Sequence, residues 1–219
     1  MSEQPRLAAA AALRALNSAF VAHQGSDQLL ERITAFASQA VEEFRSTERR
    51  DRASLLPLHA ERMFRPNPAR NNGRLSVNPK TDRAVGGTTN PISIDFDFEY
   101  GDNEVVVRTV FGAAYEGAPG RAHGGMVAAV FDDITGFLLP LVGSAAYTGQ
   151  LTVRYHRPVP IGTPLEFRSR IDSHEGRKLH VTADCHAGDE LVASADVLFI
   201  TVDTGRFGQA PDSRAAPAS

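Results

Sequence analysis

Residues 120–143 constrain this chain more than any other stretch. From position 120 they read Gly-Arg-Ala-His-Gly-Gly-Met-Val-Ala-Ala-Val-Phe-Asp-Asp-Ile-Thr-Gly, and the apolar character continues to about residue 143. Val127, Phe131, Ile134, Leu138 and Leu141 recur at steps of three and four, which predicts a helix of about five turns opened by Gly124 and Gly125. A helix this apolar has to be covered, and the flanking sequence supplies the cover. Ile92, Ile94, Phe96, Phe98 and Tyr100 alternate with polar residues, and residues 101–103 turn the chain into a second strand over 104–111. After the helix, Tyr147, Leu151, Val153 and Tyr155 alternate with Thr148, Gln150, Thr152, Arg154 and His156. A Pro-rich break at 158–162 precedes three further strands, marked by Leu165, Phe167 and Ile171, then Leu179, Val181, Ala183 and Cys185, then residues 191–202. Turns at 175–176 and 188–189 make the later strands hairpin-connected and antiparallel. The expected architecture is α+β: a curved antiparallel sheet wrapped round one long central helix.

The remainder divides by composition. Residues 1–65 read as a helical extension. A first helix spans 6–22 with Leu13, Leu16 and Phe20 on one side, and a second is capped by Ser26 with Asp27 in its first turn. Residues 48–52 are a mixed-charge helix end. Residues 66–90, rich in Pro, Asn, Gly and Arg, read as a linker, 91–203 as the main domain and 204–219 as a disordered tail. The formal net charge of −3 gives no electrostatic reason for a nucleic-acid partner. Asp132 and Asp133 interrupt the apolar segment, no uninterrupted apolar run of about 18 residues exists, and no stable membrane insertion is expected. Cys185 is the only cysteine, which excludes an intrachain disulfide and fits a reducing, cytoplasmic setting. Glu3, Asp27 and Glu31 weigh against a transit peptide.

The chemistry concentrates on the helix. Its first N–H groups lack internal acceptors and carry partial positive charge, so its start suits a developing anion. Gly125, Ala128, Ala129, Asp132, Thr135 and Gly136 form a stripe of small residues opposite the bulky one, which puts Asp132 on the open side and Asp133 elsewhere. Gly125 and Asp132 lie ~10.5 Å apart along one helix, too far to act on one carbonyl, where reacting atoms stand ~3–3.5 Å apart. A two-fold partner brings them together, so the expected assembly is a homodimer with composite sites, a tetramer being left open. His123 either donates to a carbonyl or holds the loop. Thr148 either orients water, bonds Asp132, or is an ordinary strand residue. Arg154, His156, Arg177 and Lys178 are candidate phosphate contacts or surface charges. Cys185 reads as core, and His174, His180 and His186 lack a metal spacing, so no metal is assigned.

These residues resemble those of the hotdog-fold acyl-CoA thioesterases of the PaaI type, in particular the branch called thioesterase superfamily members four and five. The resemblance covers about residues 91–203. It implies that His123-Gly124-Gly125 is the helix-opening motif whose backbone N–H polarises a thioester carbonyl. It implies that Asp132, nine positions on, is the catalytic acid and that Thr148 assists the attacking water. Arg154 and His156 fall where that branch meets substrate, although with other residue types, and the turn at Arg177 and Lys178 looks like the part that meets coenzyme A. Asp133 departs from the pattern. The implied activity is hydrolysis of a medium- or long-chain fatty acyl-CoA, with no cofactor, since coenzyme A belongs to the substrate. Alternatives are a non-catalytic acyl-CoA-binding or regulatory module and a hotdog dehydratase or hydratase.

Overall fold

The computed structural model describes residues 4–50 and 82–202. Residues 66–81 of the expected linker and the expected tail from 204 lie outside that range. Two N-terminal helices, α1 (Gln4–Ala22) and α2 (Asp27–Ser46), precede strands β1 (Asp97–Tyr100) and β2 (Glu104–Val110). A 3₁₀ turn (Ala113–Tyr115) leads to the central helix α3 (Gly124–Gly136) and a one-turn helix α4 (Leu139–Val142). Strands β3 (Ala145–Tyr155), β4 (Pro164–Glu175), β5 (Lys178–Ala187) and β6 (Glu190–Val202) complete the domain. All six strands form one antiparallel sheet in the order β1-β2-β4-β5-β6-β3. This is the hotdog arrangement.

Period-two alternation builds the inner face of the sheet. Leu165 and Phe167 on β4, Leu179, Val181, Ala183 and Cys185 on β5, and Ala193, Ala195, Val197 and Phe199 on β6 are all buried. Gly176 and Gly188 take φ of 59° and 61° in the tight turns between these strands, a conformation that costs other residues their Cβ clearance. Against this face α3 lays Val127, Val130, Phe131, Ile134 and, just past its end, Leu138, all fully buried. Phe131 meets Phe167 edge to face at 5.1 Å. The segment Gly124–Val142 is long and apolar enough, by length and composition, to cross a membrane, although the interrupted run gave no such expectation. Here the sheet covers its bulky stripe.

Two sequence expectations change in detail, and the strand order adds a feature that no local pattern marks. The first strand begins only at Asp97, not near 92. Alternating burial extends back to Ile94, but there the chain leaves β2 for a strap, residues 82–96, in which the Ile94 amide donates to the Val85 carbonyl at 2.7 Å. The Thr109 hydroxyl, donating to the Asp95 carbonyl at 2.8 Å, takes over where backbone pairing stops. Thr135, expected on the open stripe of α3, is buried, and its hydroxyl donates back to the Phe131 and Asp132 carbonyls. β3 pairs with β6 rather than with its chain neighbour β4, which leaves β3 at one edge of the sheet and β1 at the other.

The N-terminal helices meet the domain unequally. Ser26 caps α2 as expected, accepting from the Leu29 amide at 3.3 Å. α2 buries none of its residues, and Phe36 and Phe44 stand exposed. α1 is pinned by Arg14, whose guanidinium donates to the Thr88 and Asn90 carbonyls and pairs with Asp95 at 3.0 Å. The stability of the domain therefore resides in the α3–sheet contact. Phe131→Ala is expected to cost about 3–5 kcal/mol, and Phe36→Ala less than about 0.5 kcal/mol, in matched denaturant titrations.

Candidate active site

The first turn of α3 is held by two side chains. His123 is the N-cap residue, and its ring Nδ1 accepts from the Gly125 amide at 3.1 Å. The backbone amide of His123 donates to the Tyr115 carbonyl at 2.8 Å, which fixes the entry of the chain. From the end of β3, the Tyr155 hydroxyl donates to the Gly124 carbonyl at 2.6 Å. These contacts explain the glycines. A Cβ on Gly124 would stand 3.3 Å from the Tyr155 hydroxyl oxygen, and one on Gly125 would stand 3.1 Å from His123 Nδ1. Any acceptor that takes the Gly125 N–H competes with the His123 ring, whereas the Gly124 amide, first in the helix, has no intrahelical acceptor.

Two turns on, Asp132 is exposed, and the Thr148 hydroxyl donates to its Oδ1 at 2.8 Å. The sheet register explains the meeting. Gly149 forms a bulge in β3 opposite β6, and a Cβ there would crowd Ile200 at 3.1 Å and the Leu198 carbonyl at 3.3 Å. One carboxylate oxygen is thus oriented by Thr148, and no described residue holds the other, which leaves it able to accept a proton from water. Asp133 points the opposite way. Its Oδ1 accepts from both Nε (3.1 Å) and Nη2 (2.7 Å) of Arg83 on the strap. Arg83 also stacks on the Phe137 ring, 4.4 Å from its centroid. Burial pushes the Asp133 carboxyl above its ordinary range, and Arg83 works against that rise.

The candidate residues therefore fall into two groups in one chain. His123, Gly124 and Gly125 gather with Tyr155 at one end of β3. Asp132 and Thr148 meet at the other: Thr148 is seven strand residues from Tyr155, roughly 20 Å along β3, and Asp132 is ~10.5 Å from Gly125 along the helix. Arg154 and His156 belong to the first end: Arg154 faces Ser194 in register, and His156 Nε2 lies 2.9 Å from the Ser194 hydroxyl. Lys178 is opposite Ile200, which on its other side is opposite Tyr147, so Lys178 lies two strands from the Thr148 end. Arg177 sits at the same end, its Nε donating to the Thr201 carbonyl at 3.1 Å. Tyr155 and Arg83 were not picked out from sequence. Tyr155 reads only as one more member of an alternating strand, and Arg83 lies in a stretch without periodicity. Among the described residues no three His, Cys, Asp or Glu side chains cluster as metal ligands. Burial pushes the Cys185 thiol up to about 12, in keeping with a core position.

Residues 119–194 match the family model of the thioesterase superfamily. The acyl-coenzyme A thioesterase THEM4 of Mus musculus is 34% identical over 116 residues, 50% of this chain and 50% of that protein. The acyl-coenzyme A thioesterase THEM5 of Homo sapiens is 30% identical over 84 residues, 38% of this chain and 34% of that protein. The chain thus spans about half the length or less of these curated relatives. A crystal structure of a thioesterase superfamily protein superposes with a TM-score of 0.68 at 23% identity, covering 89% of this chain and 94% of that one. That likeness concerns the fold.

Two predictions follow from the site geometry. Tyr155→Phe is expected to lose about 1 kcal/mol of stability, read by thermal or urea unfolding. Cys185 in the native protein is expected to resist a disulfide reagent at pH 8 and to react fully once the chain is unfolded. Fast native labelling would contradict its core position.

Proposed function

Since the chain carries a thioesterase superfamily domain folded as a hotdog, we propose that it hydrolyses acyl-CoA thioesters to a free acid and coenzyme A. One observation carries the reading: an exposed carboxylate, Asp132, stands on a helix otherwise turned into the core, oriented by a threonine hydroxyl at 2.8 Å. Asp132 takes a proton from water, and the water oxygen attacks the thioester carbon. Thr148 holds the carboxylate in place. The carbonyl oxygen gains charge and is met by N–H groups at the start of a helix α3. The carbon–sulfur bond then breaks, and the thiolate of coenzyme A leaves and takes up a proton.

The helix start that meets the oxyanion belongs to a second copy. Within one chain it lies too far from Asp132, and the groups of both ends are exposed to solvent except Gly124, which is half-buried. Pairing the free β3 edges about a two-fold axis opposes the Tyr155 end of one chain to the Thr148 end of the other. Each composite site then has Asp132 and Thr148 from one protomer and Gly124 and Gly125 from its partner. Arg154, His156, Arg177 and Lys178 are proposed to meet the substrate, with a fatty acyl chain of medium or long length and a cytoplasmic setting as further parts of the reading.

Asp132→Asn is expected to lower kcat/KM by about 10²-fold or more without unfolding the protein, measured by thiol release over a panel of acyl-CoA lengths. Undiminished turnover would refute the assignment. Mixing Asp132→Asn with a Gly125→Leu variant, each inactive alone, is expected to restore about a quarter of wild-type activity through hybrid dimers. No recovery would rule out sharing between subunits. The His123–Gly125 contact favours one second reading, a module that binds acyl-CoA without cleaving it, because it occupies the amide in question. Saturable acyl-CoA binding with no thiol release would select that reading.

A further inference from the structure

The peptide unit between Gly124 and Gly125 is gripped at both ends. Its N–H, carried by Gly125, donates to His123 Nδ1 at 3.1 Å. Its C=O, carried by Gly124, accepts from the Tyr155 hydroxyl at 2.6 Å. The two grips differ in kind. His123 is the neighbour of this peptide in sequence and is exposed, so its ring has room to turn away. Tyr155 comes from 31 residues after Gly124, at the last position of β3. There it lies opposite the buried Ala193, and the next two amides, of His156 and Arg157, both donate to the Val192 carbonyl at 2.9 and 3.1 Å. The strand end that carries the tyrosine is therefore fixed.

The hydroxyl is not what puts the helix start in place. Backbone contacts do that: the Ala122 amide donates to the Val159 carbonyl at 2.8 Å, Arg121 bridges to Pro160, and the His123 amide donates to the Tyr115 carbonyl at 2.8 Å. Burial does not force the bond either, because Tyr155 is 48% exposed. What the bond adds is the orientation of one peptide plane. A peptide unit is planar and trans, so its C=O and N–H point in opposite directions, and fixing the first aims the second. A carbonyl that accepts a hydrogen bond also polarises its amide, which makes the N–H a stronger donor. The second lone pair of the carbonyl stays free for the helix. Desolvation pushes the Tyr155 phenol above its ordinary range, so it keeps the proton it donates.

We infer that Tyr155 is a positioning residue for the oxyanion donor: it holds the Gly124–Gly125 peptide from behind, so that the Gly125 N–H stays aimed and polarised when a thioester oxygen displaces the His123 ring. The inference rests on reading that N–H as a donor in the thioesterase reaction. The thioester oxygen gains its charge only as water adds, so a better-aimed donor counts most in the transition state and little in substrate binding.

Tyr155→Phe removes one oxygen atom. Its kcat for thiol release is expected to fall about three- to tenfold, with KM unchanged. A spectroscopic readout without substrate isolates the bond. The sequence holds two Gly-Gly pairs, 86–87 and 124–125, so glycine labelled with 13C at the carboxyl and with 15N gives two directly bonded carbonyl–amide correlations. In Tyr155→Phe the 124–125 correlation is expected to move, its carbonyl carbon to higher field, while 86–87 stays in place and reports an intact fold. An unmoved 124–125 correlation would overturn the inference. So would a variant that no longer folds, which would make the tyrosine a brace, or a rise in KM alone, which would make it a substrate contact. Undiminished kcat in Tyr155→Phe beside an active wild type removes the inference and leaves the thioesterase reading standing. No thiol release by the wild type from any acyl-CoA removes both.

Discussion

One face of α3 must lie in the hollow of the sheet, and most other features of the molecule are arranged around that requirement. Val127, Val130, Phe131, Ile134 and Leu138 recur so that a single stripe carries nearly all the bulk of the helix. Once that stripe is buried, the helix cannot rotate about its axis without dragging large side chains into water. Rotation fixes direction for everything else on the helix. Asp132 then faces Thr148, Asp133 faces the strap, and the glycine start points to the end of β3.

The same constraint divides the candidate chemistry. Helix and strand both run the length of the site, so residues that are close in sequence end up at opposite ends of β3. His123, Gly124 and Gly125 are joined to Tyr155, while Asp132 is joined to Thr148. Neither group has what the other offers. On the function proposed above, a second copy added at the β3 edge is what brings the two groups together.

The adjacent aspartates show how a helix assigns two roles to one residue type. A step of about 100° per residue separates their side chains. One stays in water with a hydroxyl neighbour. The other enters a dry cleft and needs a cation. The strap that supplies this cation was read from sequence as part of a linker, and the residues of it that are described pack on the helix through Arg83 and Gly86.

The sequence alone determined the elements and which way most residues of the central helix face. Periods of two and 3.6 are local, and they marked all six strands, the central helix, its buried stripe and the outward position of Asp132. They did not locate the start of β1, which depends on where the strap takes over backbone pairing. They placed Thr135 on the wrong side, because its neighbours in space rather than in sequence bury it. Only the tertiary structure decided that β3 pairs with β6, that Tyr155 and His123 occupy the backbone of the two glycines, and that Arg83 answers Asp133. Each of those contacts joins groups whose relative placement is set by the twist and closure of the sheet, and a one-dimensional pattern of polar and apolar residues carries no record of it.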